Sequence, residues 1–180
     1  QGTASALNFQ HVRKLVPTAL AYFFFGAGYA GYMTFVVALL KSPGGSSNQM
    51  NWFWPVIGLV AALSTLLWGR FLGSLPTRFG PASVYGTAAV GALLILLGGS
   101  TPWLIASALT FGGSFLAGPT AVAILVQRHL PQPTWTPALG LLTVSFASGQ
   151  AIGPIVSGLV ADAAQSLSTG LWLSPILLGG

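Results

Sequence analysis

The sequence of 180 residues contains no cysteine, and Asp162 is its only acidic residue. Without cysteine there can be no disulfide framework, zinc–thiolate site or iron–sulfur cluster. A single carboxylate cannot supply the pair of acids that glycoside hydrolysis or two-metal catalysis requires. The two histidines, His11 and His129, have no acidic residue near them in the sequence. We therefore expect no catalytic residues, no metal site and no cofactor, and we predict that the protein is not an enzyme.

Charged residues of both signs are scarce. They make up 4% of the chain, whereas an ordinary soluble domain contains about 25%. Hydrophobic residues make up 53%, and the mean hydropathy is +0.79. So few charges cannot build a water-soluble surface, and six basic residues spread along the chain form no patch for nucleic acid. The composition indicates an integral, multi-pass membrane protein whose surroundings are the lipid bilayer.

Six apolar runs follow one another along the chain. Runs of about 18 residues or more are typical of transmembrane helices. The six runs cover residues 16–40, 52–69, 82–99, 103–126, 138–161 and 169–180. The last is too short to cross a hydrocarbon core of about 30 Å, and the first residue is not methionine. We therefore predict an all-α membrane protein with six transmembrane helices, the last one truncated, as a fragment of a longer chain.

The basic residues predict the orientation of these spans. Alternation of the spans puts the N-terminal tail and the loops 70–81 and 127–137 on one side of the membrane. That side holds five basic residues, and the opposite side holds only Lys41. Such a bias indicates the cytoplasmic side. We predict a cytoplasmic linker over residues 1–15 and a transmembrane unit over residues 16–180, located in a bacterial cytoplasmic (inner) membrane. The five residues are Arg13, Lys14, Arg70, Arg78 and Arg128.

Glycine is abundant within the spans, with 24 residues in the chain. The segment Gly26-Ala-Gly28-Tyr-Ala-Gly31 has the spacing of a dinucleotide-binding fingerprint. It lies in the middle of an apolar run, without an acidic residue about 20 positions later, so we interpret it as helix packing. Pro119 and Pro154 predict bends in the fourth and fifth spans.

The loop between the second and third spans resembles a loop motif of the major facilitator superfamily, G-x-x-x-D-R-x-G. The matching residues are Gly73, Arg78 and Gly80, with Thr77 in the place of the acidic residue. In that superfamily the motif joins the second and third helices of each six-helix half. The resemblance implies a tight cytoplasmic turn that can lock or release neighbouring helix ends. An ordinary basic turn would explain the charges as well.

The fifth span resembles the antiporter signature G-x8-G-x3-G-P-x2-G-G. Gly140, Gly149, Gly153-Pro154 and Gly158 match it, whereas Ser157 stands for a glycine. The resemblance implies a bent helix with a smooth face that can pivot against its neighbour. Close packing of two helices explains these glycines equally well.

Nearly the whole chain resembles the C-terminal half, helices seven to twelve, of a YbfB/YjiJ-like transporter of this superfamily. The resemblance implies a half-transporter built from two three-helix repeats, whose missing N-terminal six-helix half completes a secondary carrier. The residues that carry it are Tyr22-Phe-Phe-Phe-Gly-Ala-Gly-Tyr29 with Thr34-Phe35, Phe53-Trp54-Pro55 with Gly58, Trp68-Gly69-Arg70, Phe111-Gly112-Gly113-Ser114-Phe115, and Thr143-x-x-Phe146-x-x-Gly149-Gln150-x-x-Gly153-Pro154.

Polar residues in the middle of the first, fourth and fifth spans are the candidates for substrate contact. Buried polar groups in hydrocarbon face either a cavity or another helix, because an unpaired group costs several kcal/mol. Bonding between helices is therefore the alternative for each of them. Gln150 is the strongest candidate, because it is the largest amide within a span. The seven candidates are Tyr29, Tyr32, Thr34, Ser114, Thr120, Thr143 and Gln150.

These observations predict alternating-access transport of a small organic molecule, either apolar or zwitterionic. No carboxylate or histidine lies in the core of a span, so a coupling group would belong to the missing half, or transport would be uncoupled. Two alternatives remain: a membrane assembly subunit that does not transport, and a six-helix transporter acting as a homodimer. The substrate, its direction of movement and the coupling ion are not encoded in a recognisable motif.

Overall fold

The computed structural model describes residues 8–41, 47–77, 79–98 and 100–180, and these ranges are helical apart from short turns. The helices are α1 (Phe9–Lys41), α2 (Ser47–Ser74), α3 (Phe79–Leu97), α4 (Thr101–Gly112), α5 (Ala117–His129), α6 (Trp135–Ala164) and α7 (Leu167–Gly179). Five helical segments are long and apolar enough to cross a membrane, with α4 and α5 counted together, and α7 is a shorter apolar helix. The predicted all-α membrane architecture is confirmed.

The first helix begins earlier than its apolar run. Asn8 caps it, since the Asn8 Oδ1 accepts a hydrogen bond from the His11 amide at 2.8 Å. Residues 9–15, which the sequence assigns to a linker, therefore form the first turns of α1. Residues 1–7 of that linker and residues 42–46 of the first turn between spans lie outside the described residues.

The fourth span is interrupted in its middle. The apolar run 103–126 predicts one helix with a bend at Pro119, but α4 ends at Gly112 and α5 begins at Ala117. Proline has no N–H, so the Phe115 carbonyl four residues earlier loses its helical donor. The amides of Ser114 and Phe115 both bond back to the Phe111 carbonyl at 3.0 Å. Pro154, by contrast, lies within an uninterrupted α6.

This interruption leaves a backbone acceptor without a helical partner near the middle of the membrane. The Ala117 amide bonds to the Ser114 carbonyl instead of the Gly113 carbonyl. The indole N–H of Trp68 on α2 donates to the Gly113 carbonyl and so replaces that bond. An unpaired carbonyl at this depth would cost several kcal/mol, so the Trp68 contact makes the interruption tolerable.

The helices pack as two related groups of three spans. α1 packs against α6 and α7, α4 packs against α2 and α3, and α3 packs against α7. Exchanging the first three spans for the last three exchanges these contacts with one another; α6 also packs against α7, a contact without a counterpart of similar extent between the described residues of α2 and α3. Such an exchange is what an internal repeat of three helices produces, and nested three-helix repeats build each six-helix half of a facilitator. The packing therefore agrees with the predicted half-transporter fold.

Glycines bring α1 and α6 into close contact. A Cβ atom on Gly153 would lie 2.6 Å from the Ala27 Cα, and one on Gly149 would lie 2.9 Å from the Phe23 carbonyl carbon. Ordinary contacts of a Cβ atom begin at 3.4 Å. No larger residue fits at these two positions without separating the helices, which is how membrane helices achieve tight association.

The glycine triplet of α1 also serves helix packing, as predicted. Gly26 faces Phe146 on α6, and a Cβ atom there would lie 2.9 Å from the Phe146 Cδ2. Gly28 faces the backbone of α7 at Ser174, and Gly31 lies between the hydroxyls of Ser174 and Ser157. The triplet is therefore a packing surface shared by α6 and α7.

Candidate functional site

A small cleft of about 130 Å³ opens where α1, the interruption of the fourth span and α6 meet. Each contributing segment lies close to the middle of its span. Gln150 is near the centre of Trp135–Ala164, and Phe115 is near the centre of the span Thr101–His129. The residues that line the cleft are Tyr29, Phe115, Leu116, Pro119, Phe146 and Gln150.

Stacked aromatic rings form the wall of this cleft. The ring centroid of Tyr29 lies 5.4 Å from that of Phe115, 6.2 Å from that of Phe146 and 6.3 Å from that of Phe111. Phe111 is fully buried behind the wall and stacks on Phe115 at 5.5 Å. Aromatic pairs at these separations attract each other. The wall is therefore a preorganised apolar surface that can stack against a flat ligand.

Two polar groups lie on this apolar wall. The Tyr29 hydroxyl and the Gln150 amide belong to half-buried side chains. Within the part of the chain that the structure describes, neither group has a hydrogen-bond partner. A half-buried polar group without a partner gains free energy when a ligand supplies one. No charged side chain is among the described residues that line the cleft, so the arrangement suits a neutral molecule with an aromatic face and hydrogen-bonding groups.

Three of the other predicted site residues make bonds within the protein instead. Tyr32 is fully buried, and its hydroxyl donates to the Ser107 Oγ at 2.7 Å, because the Ser107 hydroxyl donates to the Gly91 carbonyl. This chain of bonds links α1, α4 and α3. Ser114 is buried and donates to the Thr110 carbonyl at 2.9 Å. Thr34 is exposed, and its hydroxyl donates to the Ala30 carbonyl at 2.8 Å.

The remaining two candidates are not among the described residues that line the cleft. Thr120 is partly buried and follows Pro119 directly, whereas Thr143 is exposed on α6. The structure therefore brings Tyr29 and Gln150 together and leaves the other five candidates outside the lining.

Apart from Tyr29, the aromatic and apolar residues of the cleft were not among the predicted site residues. Phe146 and Gln150 are four residues apart on α6, a spacing that puts two side chains on the same helix face. Phe111 and Phe115 have the same spacing, and Pro119 comes four residues after Phe115. A search of the spans for aromatic residues four positions from a polar one would have found Phe146.

The loop motif lies at one end of the bundle, where Arg128 holds it. The guanidinium of Arg128 donates from Nη2 to the Gly73 carbonyl at 2.7 Å and from Nη1 to the Leu75 carbonyl at 2.8 Å. Nη1 also lies 3.4 Å from the Thr77 Oγ1. A cation is favourable at the carbonyl end of a helix, and here it ties the end of α5 to the end of α2. Arg78 lies outside the described residues.

The glycines of the two motifs have different surroundings. Gly80 is buried near Leu72, whereas Gly73 is exposed and a Cβ atom there would meet nothing within 4 Å. In the fifth span, Gly149 and Gly153 contact α1, but Gly140 and Gly158 also have open space around them. Only part of each motif is therefore explained by close packing.

Comparison with known proteins agrees with these features. A family model described as "Uncharacterised MFS-type transporter YbfB" matches residues 2–179. Multidrug resistance protein MdtG from Salmonella choleraesuis (strain SC-B67) is 31% identical over 160 residues, covering 83% of this chain and 38% of that protein. Its counterpart from Yersinia enterocolitica (serotype O:8 / biotype 1B) is 30% identical over 159 residues, covering 83% and 37%. No solved structure matches the chain significantly.

The chain thus spans less than two fifths of the curated relatives that it matches. The family model, in contrast, covers almost every residue, including both resembling motifs and all residues of the cleft. By this match, and in agreement with its packing in two groups of three spans, the chain belongs to the YbfB-like family of the major facilitator superfamily of membrane transporters.

Proposed function

We propose that this chain is the C-terminal half of a secondary carrier that moves a small neutral organic molecule across the bacterial cytoplasmic membrane by alternating access. The observation that carries the proposal is the mid-span cleft with two polar groups, Tyr29 and Gln150, that have no hydrogen-bond partner among the described residues. Carriers of this type bind their substrate near the bilayer midplane, between two halves that rock about the site.

The chemistry of the cleft supports a neutral substrate. Aromatic rings, one amide and one phenol surround it, and Asp162 is exposed at the far end of α6. A charged group in this cleft would be desolvated without a counter-charge, at a cost of several kcal/mol. A flat molecule with an aromatic face would stack on Tyr29 and bond to Gln150. Both relatives are named multidrug resistance proteins, and drug-like compounds include molecules of this kind.

The exposure of α2 and α6 supports a second half. In the most apolar 18-residue stretch of each span, 22% of the residues of α2 and 17% of those of α6 are buried, against 50% of those of α1. Large apolar side chains cover these open faces, among them Leu66 and Leu67 on α2 and Val144 and Leu159 on α6. Because α6 also carries Gln150, a six-helix half packed against α2 and α6 would enclose the cleft. A coupling carboxylate or histidine would come from that half.

Substitution of the two polar groups tests the proposed site. The full-length carrier would be expressed with Gln150→Ala or Tyr29→Phe, and accumulation of Nile red, a neutral aromatic dye, would be compared with wild type. The loss of one hydrogen bond costs about 0.5–1.5 kcal/mol, so we expect KM to rise roughly 2- to 12-fold at unchanged abundance in the membrane.

Ser148→Ala is the matched control, since Ser148 is exposed on the same helix and bonds to the Val144 carbonyl. It should transport like wild type. Wild-type transport by both cleft variants would show that the substrate does not bind here. Other neutral aromatic compounds would be tested in the same way. If the wild-type protein changes the accumulation of neither Nile red nor any of these compounds, a subunit that does not transport is favoured.

Self-association of the chain separates the two-half carrier from a homodimer. This chain has no cysteine, so Ser148→Cys, made in a full-length carrier with any cysteines of the other half replaced by serine, places one reactive thiol on the exposed side of α6. Under oxidation in membranes, we expect no disulfide between two copies, because the second half covers α6. Rapid formation of a disulfide-linked dimer that still transports would support the homodimeric transporter instead.

A further inference from the structure

We propose that a cleft between the start of α1 and the end of α5 binds the headgroup of an anionic phospholipid. This basic cleft has a volume of about 410 Å³ and lies at the end of the bundle that carries Arg13, Lys14, Arg70 and Arg128. It is separate from the mid-span cleft, and no described residue lines both. The proposal does not depend on the transported substrate.

The mouth of the basic cleft is polar and its floor is apolar. Lys14 and His129 are exposed at the mouth, and the buried side chains of Leu15, Val126 and Leu130 form the floor. The His129 Nδ1 donates to the Leu125 carbonyl at 2.9 Å, which fixes the ring at the rim. A polar entrance above an apolar floor matches a molecule with a charged head and hydrocarbon chains.

The charge at the mouth is positive and has no counter-ion among the described residues. The only carboxylate of the chain, Asp162, lies near the end of α6, whereas the basic cleft lies at the end where α6 begins. Arg13 and Lys14 also line an adjoining recess. An anion at this mouth would therefore meet attraction and no competing carboxylate.

The position of the basic cleft along the helices selects the kind of anion. On α1 the sequence changes from charged to apolar between Lys14 and Leu15, and on α5 it changes from apolar to polar between Val126 and Gln127. These changes mark the boundary between lipid headgroups and acyl chains. Basic pockets between helices at this depth bind anionic lipid headgroups, because phosphate and hydrocarbon are both within reach. A soluble anion would use the mouth but not the floor.

Lipid retention by the purified protein tests the proposal. The full-length carrier would be titrated in detergent with phosphatidylglycerol or phosphatidylcholine, and bound lipid would be counted by native mass spectrometry. We expect preferential binding of phosphatidylglycerol. Because one basic residue near an anionic headgroup contributes about 1 kcal/mol, Lys14→Gln should weaken that binding about 5-fold. Arg70→Gln is the matched control, since Arg70 is exposed outside the basic cleft.

A second variant probes the apolar floor. Leu125 lines the basic cleft, and Leu125→Trp would fill it while keeping Lys14 in place, so it should also reduce binding. Four outcomes would overturn the proposal: equal binding of the two lipids, equal losses for Lys14→Gln and Arg70→Gln, displacement of the lipid by inorganic phosphate alone, or no bound lipid. The last would mean that another part of the full-length protein fills the basic cleft.

Discussion

Replacing Gly153 by alanine tests the close contact between α1 and α6 on which the mid-span cleft depends. The new methyl group would lie 2.6 Å from the Ala27 Cα and still closer to the Ala27 carbonyl oxygen. Both are backbone atoms, so the two helices would have to separate by about 1 Å, because close-packed interiors have little free space. Overpacking of this kind costs about 1–3 kcal/mol. The higher helix propensity of alanine, about 1 kcal/mol, offsets part of that cost.

Gly158→Ala on the same helix is the matched control. A Cβ atom at Gly158 would meet nothing within 4 Å, so only the propensity gain of up to about 1 kcal/mol applies. The two substitutions make the same chemical change in one helix, but only Gly153→Ala meets backbone atoms of another helix, so it should be the less stable of the two variants by about 1–3 kcal/mol. Both glycines belong to the antiporter-like motif, so the pair also separates helix packing from a general requirement for glycine.

Thermal unfolding of the detergent-purified protein measures the difference. The six tryptophans provide a fluorescence signal. The propensity gain is common to both variants and the overpacking cost of about 1–3 kcal/mol is not, so we expect the Tm of Gly153→Ala to lie roughly 2–12 °C below that of Gly158→Ala. Equal Tm values for the two variants would refute the inference that the α1–α6 contact is limited by backbone contact at Gly153.

Three further substitutions test contacts that hold the spans together. Arg128→Gln removes the bonds to the carbonyl end of α2. Because Arg128 is exposed to solvent, the substitution should lower stability by only about 1 kcal/mol. A Tm equal to that of the Arg70→Gln control would contradict this. Trp68→Phe leaves the Gly113 carbonyl without its indole donor and should lower the free energy of unfolding by about 1–3 kcal/mol. Trp172→Phe, at an exposed position on α7, is the control and should change stability little. Similar Tm values for the two variants would refute the role of the Trp68 indole. Tyr32→Phe removes the bond to Ser107 and should lower Tm with KM for the dye unchanged; a higher KM at normal stability would instead make Tyr32 a substrate contact.

The membrane fold was predictable because it depends on local properties of the chain. The length of each apolar run decides whether a helix can cross the bilayer, and the run lengths are visible in the sequence. The packing role of Gly26, Gly28 and Gly31 was predictable for a similar reason, since small residues at short spacings within a span allow helices to approach.

The details of the site depend on contacts between distant residues, and these were harder to predict. Tyr29 and Tyr32 are three residues apart on α1, and nothing in the sequence separates them as candidates. Ser107, 75 residues away, satisfies the Tyr32 hydroxyl and leaves Tyr29 as the residue on the cleft. The interruption of the fourth span likewise depends on Trp68 from another helix. Pro119 predicted a distortion there, but not that the helix would end at Gly112.

The packing of α1 has a consequence for the biosynthesis of the protein. Its main neighbour, α6, begins at Trp135, whereas α1 ends at Lys41. Roughly 90 further residues must therefore leave the ribosome first, which takes about 5–20 s at about 5–20 residues per second. During this interval the glycine surface of α1 faces lipid or the translocation machinery instead of α6. The first span therefore inserts on its apolarity alone and acquires its fixed place only when the fifth span enters the membrane.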